Sequence, residues 1–566
     1  MALLCQLLDL FVGYHSSSDF GGWLRLATEN PIWRAEFVKE VRIGIKSLGV
    51  NVDTWQTLAA LLRRPWFHRI WCVQEAVLAG CGHENPAETI FMCGVYVLPW
   101  SYVVVPILSM EILGLHDHLQ GFLTETQHNP TVHKPFLGGL NTLLSMDKLR
   151  REGIDMSRPS RFYRLLRLTR SLDSTDPRDK VFALFGLLKP DDAAIENGAL
   201  RPDYTKPVKV VFEDVAKHFL LHLHSLKLLG LVHDTVRSRT ELTELLPSWV
   251  PDWTTILDAA VLDDFAYCAG HSLQEQGTLL SGGENAASKF EACCARNAKL
   301  ITPSLHITRS IVKDLGSGSV EIQGLLLGPL TTTVLAANEF VFHMLDLPVE
   351  ADYCPRFQAL KICRLYTEIV KLVRSLHSAS STTSNRDDLD PLPVEHSSPD
   401  IELPSSTDPY GLGGTVVEAL WRTLIGDRTE DYKQPATEEW QTYFMAFHEV
   451  QKIMHKYGPQ IPKGLISTSM DALASRYFGP LLRILPGRRF AILSYQILCL
   501  VPQRATAGDV VCIFNGSDIP HVVQPRPRME GVEGSYELLG GAYVHGLMHG
   551  EASRLFSGQA TRILLS

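Results

Sequence analysis

Pro65-Trp-Phe-His-Arg-Ile-Trp-Cys-Val-Gln-Glu75 concentrates the groups best suited to chemistry in this chain: two tryptophans, a histidine, an arginine, a cysteine and one carboxylate. Over about three turns of helix these side chains crowd together. A surface helix gains little from two tryptophans, so this one is expected to bury a broad face. Glu75 closes the run beside large aromatic groups, where a carboxylate is costly unless it is paired or used. Pairing with Arg69 or Arg64 is the competing structural explanation.

The surrounding residues predict how that carboxylate is carried. Pro65 suits a first helical position, and Gly80 and Gly82 suit a stop. Trp66, Ile70, Val73 and Val77 form one apolar stripe at helical period. Trp71 lies four residues before Glu75 and so neighbours it along one edge, with Cys72 on the other side.

Composition bounds the function classes. The 566 residues allow two to four domains, and 45% hydrophobic with 20% charged residues is an ordinary globular balance. A net charge of −9 disfavours nucleic acid as a partner. The basic cluster Lys148, Arg150, Arg151, Arg158, Arg161, Arg164, Arg167 and Arg170 reads as a solvated or acid-paired helix face. Eleven scattered cysteines without a Cys-x-x-Cys pair imply reduced thiols and a cytoplasmic location. Met1 to Gly13 reads as a buried helix rather than a signal peptide. Thr89 to Met110 carries no charge, but Cys93-Gly94, Pro99 and Pro106 punctuate it as a buried strand, a turn and a helix start, not a membrane span.

Other chemical motifs are weak. His545, His549 and Glu551 have metal-like spacing, but Gly546 and Gly550 argue against the helix such a site needs, so no metal is assigned. His116 and His118 flank Asp117 in what reads as a solvated loop. Neither a phosphate-binding Gly-x-x-x-x-Gly-Lys-Ser/Thr loop nor a Gly-x-Ser-x-Gly nucleophile elbow occurs.

Along the chain, a helix-rich first part reaches residue 160. A helix-rich middle region follows over 161–374, with an apolar helix ending near Gly186, another from Val210 to Leu229 stopped by Gly230, and an extended segment Leu246–Trp253 anchored by its tryptophans. Ser375 to Pro409 has the composition of a disordered linker. Residues 410–566 read as a helical segment followed by a small antiparallel β-rich module. Its strands come from the apolar run Phe490–Val501, from Asp509–Phe514, and from Tyr536–Leu539 and Ala542–His545, with a tight turn at Asn515-Gly516. The fold class is mixed α+β.

Several blocks taken together resemble the fungal heterokaryon-incompatibility (HET) domain proteins: Arg64–Glu75, Asp176-Pro-Arg-Asp-Lys-Val-Phe-Ala-Leu184, Pro202-Asp-Tyr-Thr-Lys-Pro207, Leu246–Trp253, Val501-Pro502 with Gly508–Val511, and Gly541–Glu551. They follow the family's order. The family's opening Ala-Leu-Ser-Tyr-x-Trp-Gly and Trp-Ile-Asp-x-x-Cys-Ile-Asn-Gln segments are missing, so residues 1–160 are expected to be the C-terminal part of a truncated α/β HET domain. Gly541 stands where the family usually has Glu, and Gln524-Pro525 where an apolar–Arg pair is usual.

The resemblance implies nonself recognition between fungal individuals and programmed death of the fused cell. The HET domain is in turn remotely similar to TIR domains, many of which cleave NAD with a helical glutamate. In plant TIR domains that helix carries Trp-Cys-x-x-Glu, and Trp71-Cys72-Val73-Gln74-Glu75 has the same spacing. On this resemblance Glu75 is the catalytic candidate, Trp71 and Cys72 are substrate-binding candidates, and NAD is a substrate rather than a cofactor. Other HET-type or receptor proteins, or a second copy of the chain, are the implied partners. A non-catalytic signalling module and an inactive remnant stand as alternative readings.

Overall fold

The computed structural model describes residues 57–79, 89–112, 136–151, 160–188, 200–232, 246–255, 312–333, 355–381, 415–429, 435–458, 461–526, 534–552 and 560–566, except 59, 317 and 463, together with residues 262, 267, 269 and 403. The expected N-terminal helix, Gly80 and Gly82, the His116–His118 loop and most of the expected linker lie outside them. The chain forms two compact units: one of residues 1–208, 253–256 and 348–353, the other of 209–252, 257–347 and 354–566.

In the first unit a 3-10 turn, Pro65–His68, precedes helix α1, Trp71–Leu78. A hairpin follows, β1 (Ile90–Cys93) with β2 (Tyr96–Pro99), then α2 (Trp100–Ile112), α3 (Phe136–Arg151), α4 (Ser160–Leu168) and the short α5 (Asp179–Phe182). The uncharged stretch after Thr89 is thus not a buried strand. It turns at Gly94, in the left-handed conformation at φ +62°, and leaves Ile90, Met92, Val95, Tyr96 and Val97 exposed. Part of the basic cluster is enclosed rather than solvated. Arg161 and Arg170 are buried, Arg170 donates to the Thr255 carbonyl at 2.8 Å, and Arg150 donates to the Ala76 carbonyl while stacking on Trp100.

The second unit opens with α6 (Val208–Lys217), which passes into a π-turn at His218–His222 and a 3-10 turn at Lys227–Leu231. The single helix expected over Val210–Leu229 therefore breaks before Gly230. The Leu246–Trp253 segment is a pair of turns rather than extended chain, with Trp249 and Trp253 both fully buried. Helices α7 (Pro355–Ser381), α8 (Val416–Leu424), α9 (Glu439–Tyr457) and α10 (Thr468–Ile484) enclose an aromatic core that includes Tyr366, Trp421, Phe444, Phe447 and Tyr477. Helix α7 runs into the segment read as linker. Thr415 caps α8 by accepting from the Glu418 N–H at 3.0 Å, and Ser467 caps α10.

The C-terminal module is larger than the small antiparallel sheet read from sequence. It is a mixed sheet of nine strands: β3 (Val312–Gly316), β4 (Ser319–Thr333), β5 (Arg488–Leu493), β6 (Ile497–Pro502), β7 (Val510–Phe514), β8 (His521–Pro525), β9 (Tyr536–Gly541), β10 (Tyr543–Val544) and β11 (Thr561–Leu565). Strand β4 pairs with β11, β11 with β9 in parallel, β9 with β8, β8 with β7, and β7 with β4 again, which closes a five-stranded ring. After a bulge at Leu326–Gly328 β4 stays paired with β7 through Pro329, then leaves the ring from Leu330 to pair with β5, extending the sheet through β6 and β10. The apolar run Phe490–Val501 is a hairpin, turned by Tyr495 and Gln496 at φ +64° and +63°.

Candidate functional site

One continuous helix from Pro65 to Glu75 would place Trp66 and Glu75 about 13 Å apart along its axis. Instead Arg69 is extended, with ψ 133°, and the chain folds back on itself between the 3-10 turn and α1. The fold-back comes from a distant segment. Ile70 N–H donates to the Asp173 carbonyl at 2.9 Å and Asp173 N–H donates to the His68 carbonyl at 2.5 Å. The Trp66 indole N–H thereby reaches the Glu75 carboxylate at 2.9 Å. Trp66 sits edge-on to Phe67 and to Phe91 of β1, with centroids 5.1 and 5.7 Å away.

The three sequence candidates occupy different settings. Glu75 is exposed, not buried among aromatic rings. Trp71 is half-buried and its indole N–H donates to Asp179 at 3.1 Å, so it is tied away from Glu75. Cys72 is buried in the packed face of α1. Burial, and secondly the Glu75 carboxylate beside it, push its thiol up to about 11, so it stays protonated at neutral pH. Arg64, a pairing candidate for Glu75, donates instead to the Cys93 sulfur at 3.1 Å.

Asp176–Leu184 builds the ground beneath α1. Asp179 accepts from Trp71 with one oxygen and from the Tyr204 hydroxyl with the other, at 2.6 Å. Tyr204 is half exposed, and burial followed by the neighbouring Asp179 pushes its phenol up to about 12. Arg178 grips Asp176 and also donates to the carbonyls of Tyr204 and Lys206. Gln74 donates to the Ala183 carbonyl at 2.6 Å, and Gly186 lies so close that an added Cβ would come within 2.7 Å of the Gln74 amide. Asp179, Lys180 and Tyr204 received no role from sequence, although each falls within a block quoted above for the resemblance.

Lys180 holds the fold-back. Its buried ammonium donates to the carbonyls of Arg170 and Leu172, just before Asp173. Lys180→Met leaves both carbonyls without this donor and is expected to cost about 1–3 kcal/mol. Thermal unfolding of the full chain measures it, and an unchanged midpoint would remove Lys180 from this role.

In the second unit, Glu551 accepts from the His549 backbone N–H at 2.7 Å, and the His545 ring lies 3.4 Å from the Tyr543 hydroxyl. Among the described residues no group of three or more His, Cys, Asp and Glu side chains is arranged to hold a metal ion. No described helix is long and apolar enough to cross a membrane.

Comparison with known proteins bears on both units. Residues 413–557 match the Het-6 β-barrel domain. Over 524 residues the chain is 24% identical to heterokaryon incompatibility protein 6, OR allele, of Neurospora crassa, an alignment that covers 87% of this chain. This chain is a distant homologue of that protein. It spans 65% of the Het-6 protein's length. No solved structure matches. The Het-6 barrel match takes in α8–α10 and β5–β10, but β4 and β11, which close the five-stranded ring, lie outside the matched residues.

Proposed function

We propose that this chain acts in nonself recognition between fungal individuals, in the cytoplasm, and that it triggers death of the fused cell by cleaving NAD with Glu75. The relationship to the Het-6 protein supports the family-level part of this reading. The observation that carries the chemical part is a solvent-facing carboxylate held at 2.9 Å by an indole N–H, on a helix bearing the Trp-Cys-x-x-Glu spacing of TIR domains. A TIR-like α/β domain around α1 belongs to the same reading.

The bond to be broken joins the nicotinamide nitrogen to ribose C1′. Its electron pair leaves with nicotinamide, water oxygen bonds to C1′, and the water's proton passes to solvent. The sugar becomes cationic on the way, and a fixed carboxylate lowers the energy of that centre. In this geometry Trp66, rather than Trp71, is the aromatic group at the carboxylate.

Fungal cells expressing the chain are expected to lose NAD and viability, and cells expressing Glu75→Ala to retain both. Intact NAD in cells containing folded, abundant wild-type chain would overturn the chemical reading. The exposed apolar hairpin β1–β2 favours a second reading, a non-catalytic module that acts by assembly with HET-type or receptor proteins or with its own copies. Under it, death would survive Glu75→Ala and be lost when Met92 and Val97 are made charged.

A further inference from the structure

The Trp66–Glu75 contact has a geometry that local helix formation cannot give. It needs the extended Arg69, the backbone pairing with Asp173, and the Lys180 ammonium behind that pairing. One segment remote in sequence, Leu172 to Lys180, thus brings one indole to one carboxylate. The ring itself is fixed on two sides, edge-on to Phe67 and Phe91 at interplanar angles of 88° and 84°. An exposed glutamate otherwise samples many rotamers, and ordering it costs free energy. The indole N–H is a donor only, so it can orient the carboxylate without ever competing for a proton.

We propose that Trp66 is the positioning residue of the Glu75 site, its N–H holding the carboxylate in the orientation in which it meets the ribose of a bound dinucleotide. This rests on the reading of Glu75 as the acting carboxylate. Cys72, placed by sequence as a substrate contact, takes the supporting part of a protonated neighbour on the packed side of α1. Trp71 anchors the helix to Asp179.

The test uses purified full chain with NAD as the probe. Trp66→Phe keeps a ring against Phe67 and Phe91 but lacks the donor. It is expected to lower kcat at least about tenfold, the worth of one hydrogen bond to a charged group, with KM within about twofold and the thermal midpoint unchanged. A purely structural role would move the midpoint and leave kcat per folded molecule alone. Wild-type kcat in Trp66→Phe, with Glu75→Ala inactive, would overturn the proposal while leaving the reading of Glu75 standing. A wild-type chain that leaves NAD intact would overturn both. Should Trp66→Phe fail to fold, the indole N–H resonance of Trp66 decides: it is expected to shift between wild type and Glu75→Ala, and an unmoved resonance would refute the contact.

Discussion

Replacing Asp427 by asparagine should lower the stability of the second unit by about 3 kcal/mol, the loss typical of a buried ion pair deprived of one charge. Arg422 is almost fully enclosed beside Trp421, its guanidinium 4.3 Å from the ring centre. It donates to Asp427 at 2.5 Å, to Glu418 at 2.8 Å and to the Ala436 carbonyl at 2.7 Å. Asp427 also accepts from the Ala436 N–H and sits in the left-handed region at φ +53°. Asparagine tolerates that backbone and can keep the Ala436 contact, so the substitution isolates the charge. Arg422→Met with Asp427→Asn should then cost less than the two single changes summed, because neither charge is left buried alone. Urea unfolding of the four proteins measures this, and strict additivity would show that the pair is not coupled.

Acid should unfold the second unit well above the range in which carboxylates titrate. Among the described residues of that unit three histidines are buried: His218 in the π-turn, His448 on α9 and His521 on β8. Burial holds His218 and His448 down at about 4 and His521 at about 3. His222 adds to the depression at His218, and the Tyr366 hydroxyl lies 2.8 Å from Nδ1 of His448. Each folded value lies below the ordinary value of about 6.5 expected in the unfolded chain. The unfolded chain therefore binds more protons between those limits. The stability is fully present above about pH 6.5 and is lost as pH falls toward 4. At pH 5 each site contributes a loss of about 2 kcal/mol, a large share of a typical folding free energy. His521→Leu should flatten the urea midpoint between pH 7 and 5, and an equally steep profile would take His521 out of the titration.

The sequence by itself determined the groups and many of the local devices. Asn515-Gly516 forms the turn after β7, with Gly516 in the left-handed conformation at φ +78°. The Leu246–Trp253 tryptophans anchor to the core, and the apolar C-terminal runs became strands. These are short-range consequences of residue type, so a single sequence carries them. The mixed α+β class and the helical middle were legible for the same reason. So were the blocks that place the chain beside the Het-6 protein.

Tertiary structure decided the site. Helical periodicity across Pro65–Leu78 reads as one helix because nothing local announces that Arg69 will pair with Asp173. That pairing turns an axial separation into a contact, gives Glu75 to Trp66, and gives Trp71 to Asp179. It also decided the barrel. Strand β4 alternates intermediate and buried residues from Ser319, but Gly324, Gly328 and Pro329 break the pattern a strand is read from. The two glycines are required there: a Cβ on Gly324 would come within 2.7 Å of the Ile513 carbonyl, and Gly328 takes a φ of +130° at the bulge. A residue chosen for close approach to another strand looks, in one dimension, like a residue chosen for a loop. Only the closed ring of β4, β7, β8, β9 and β11 tells the two apart.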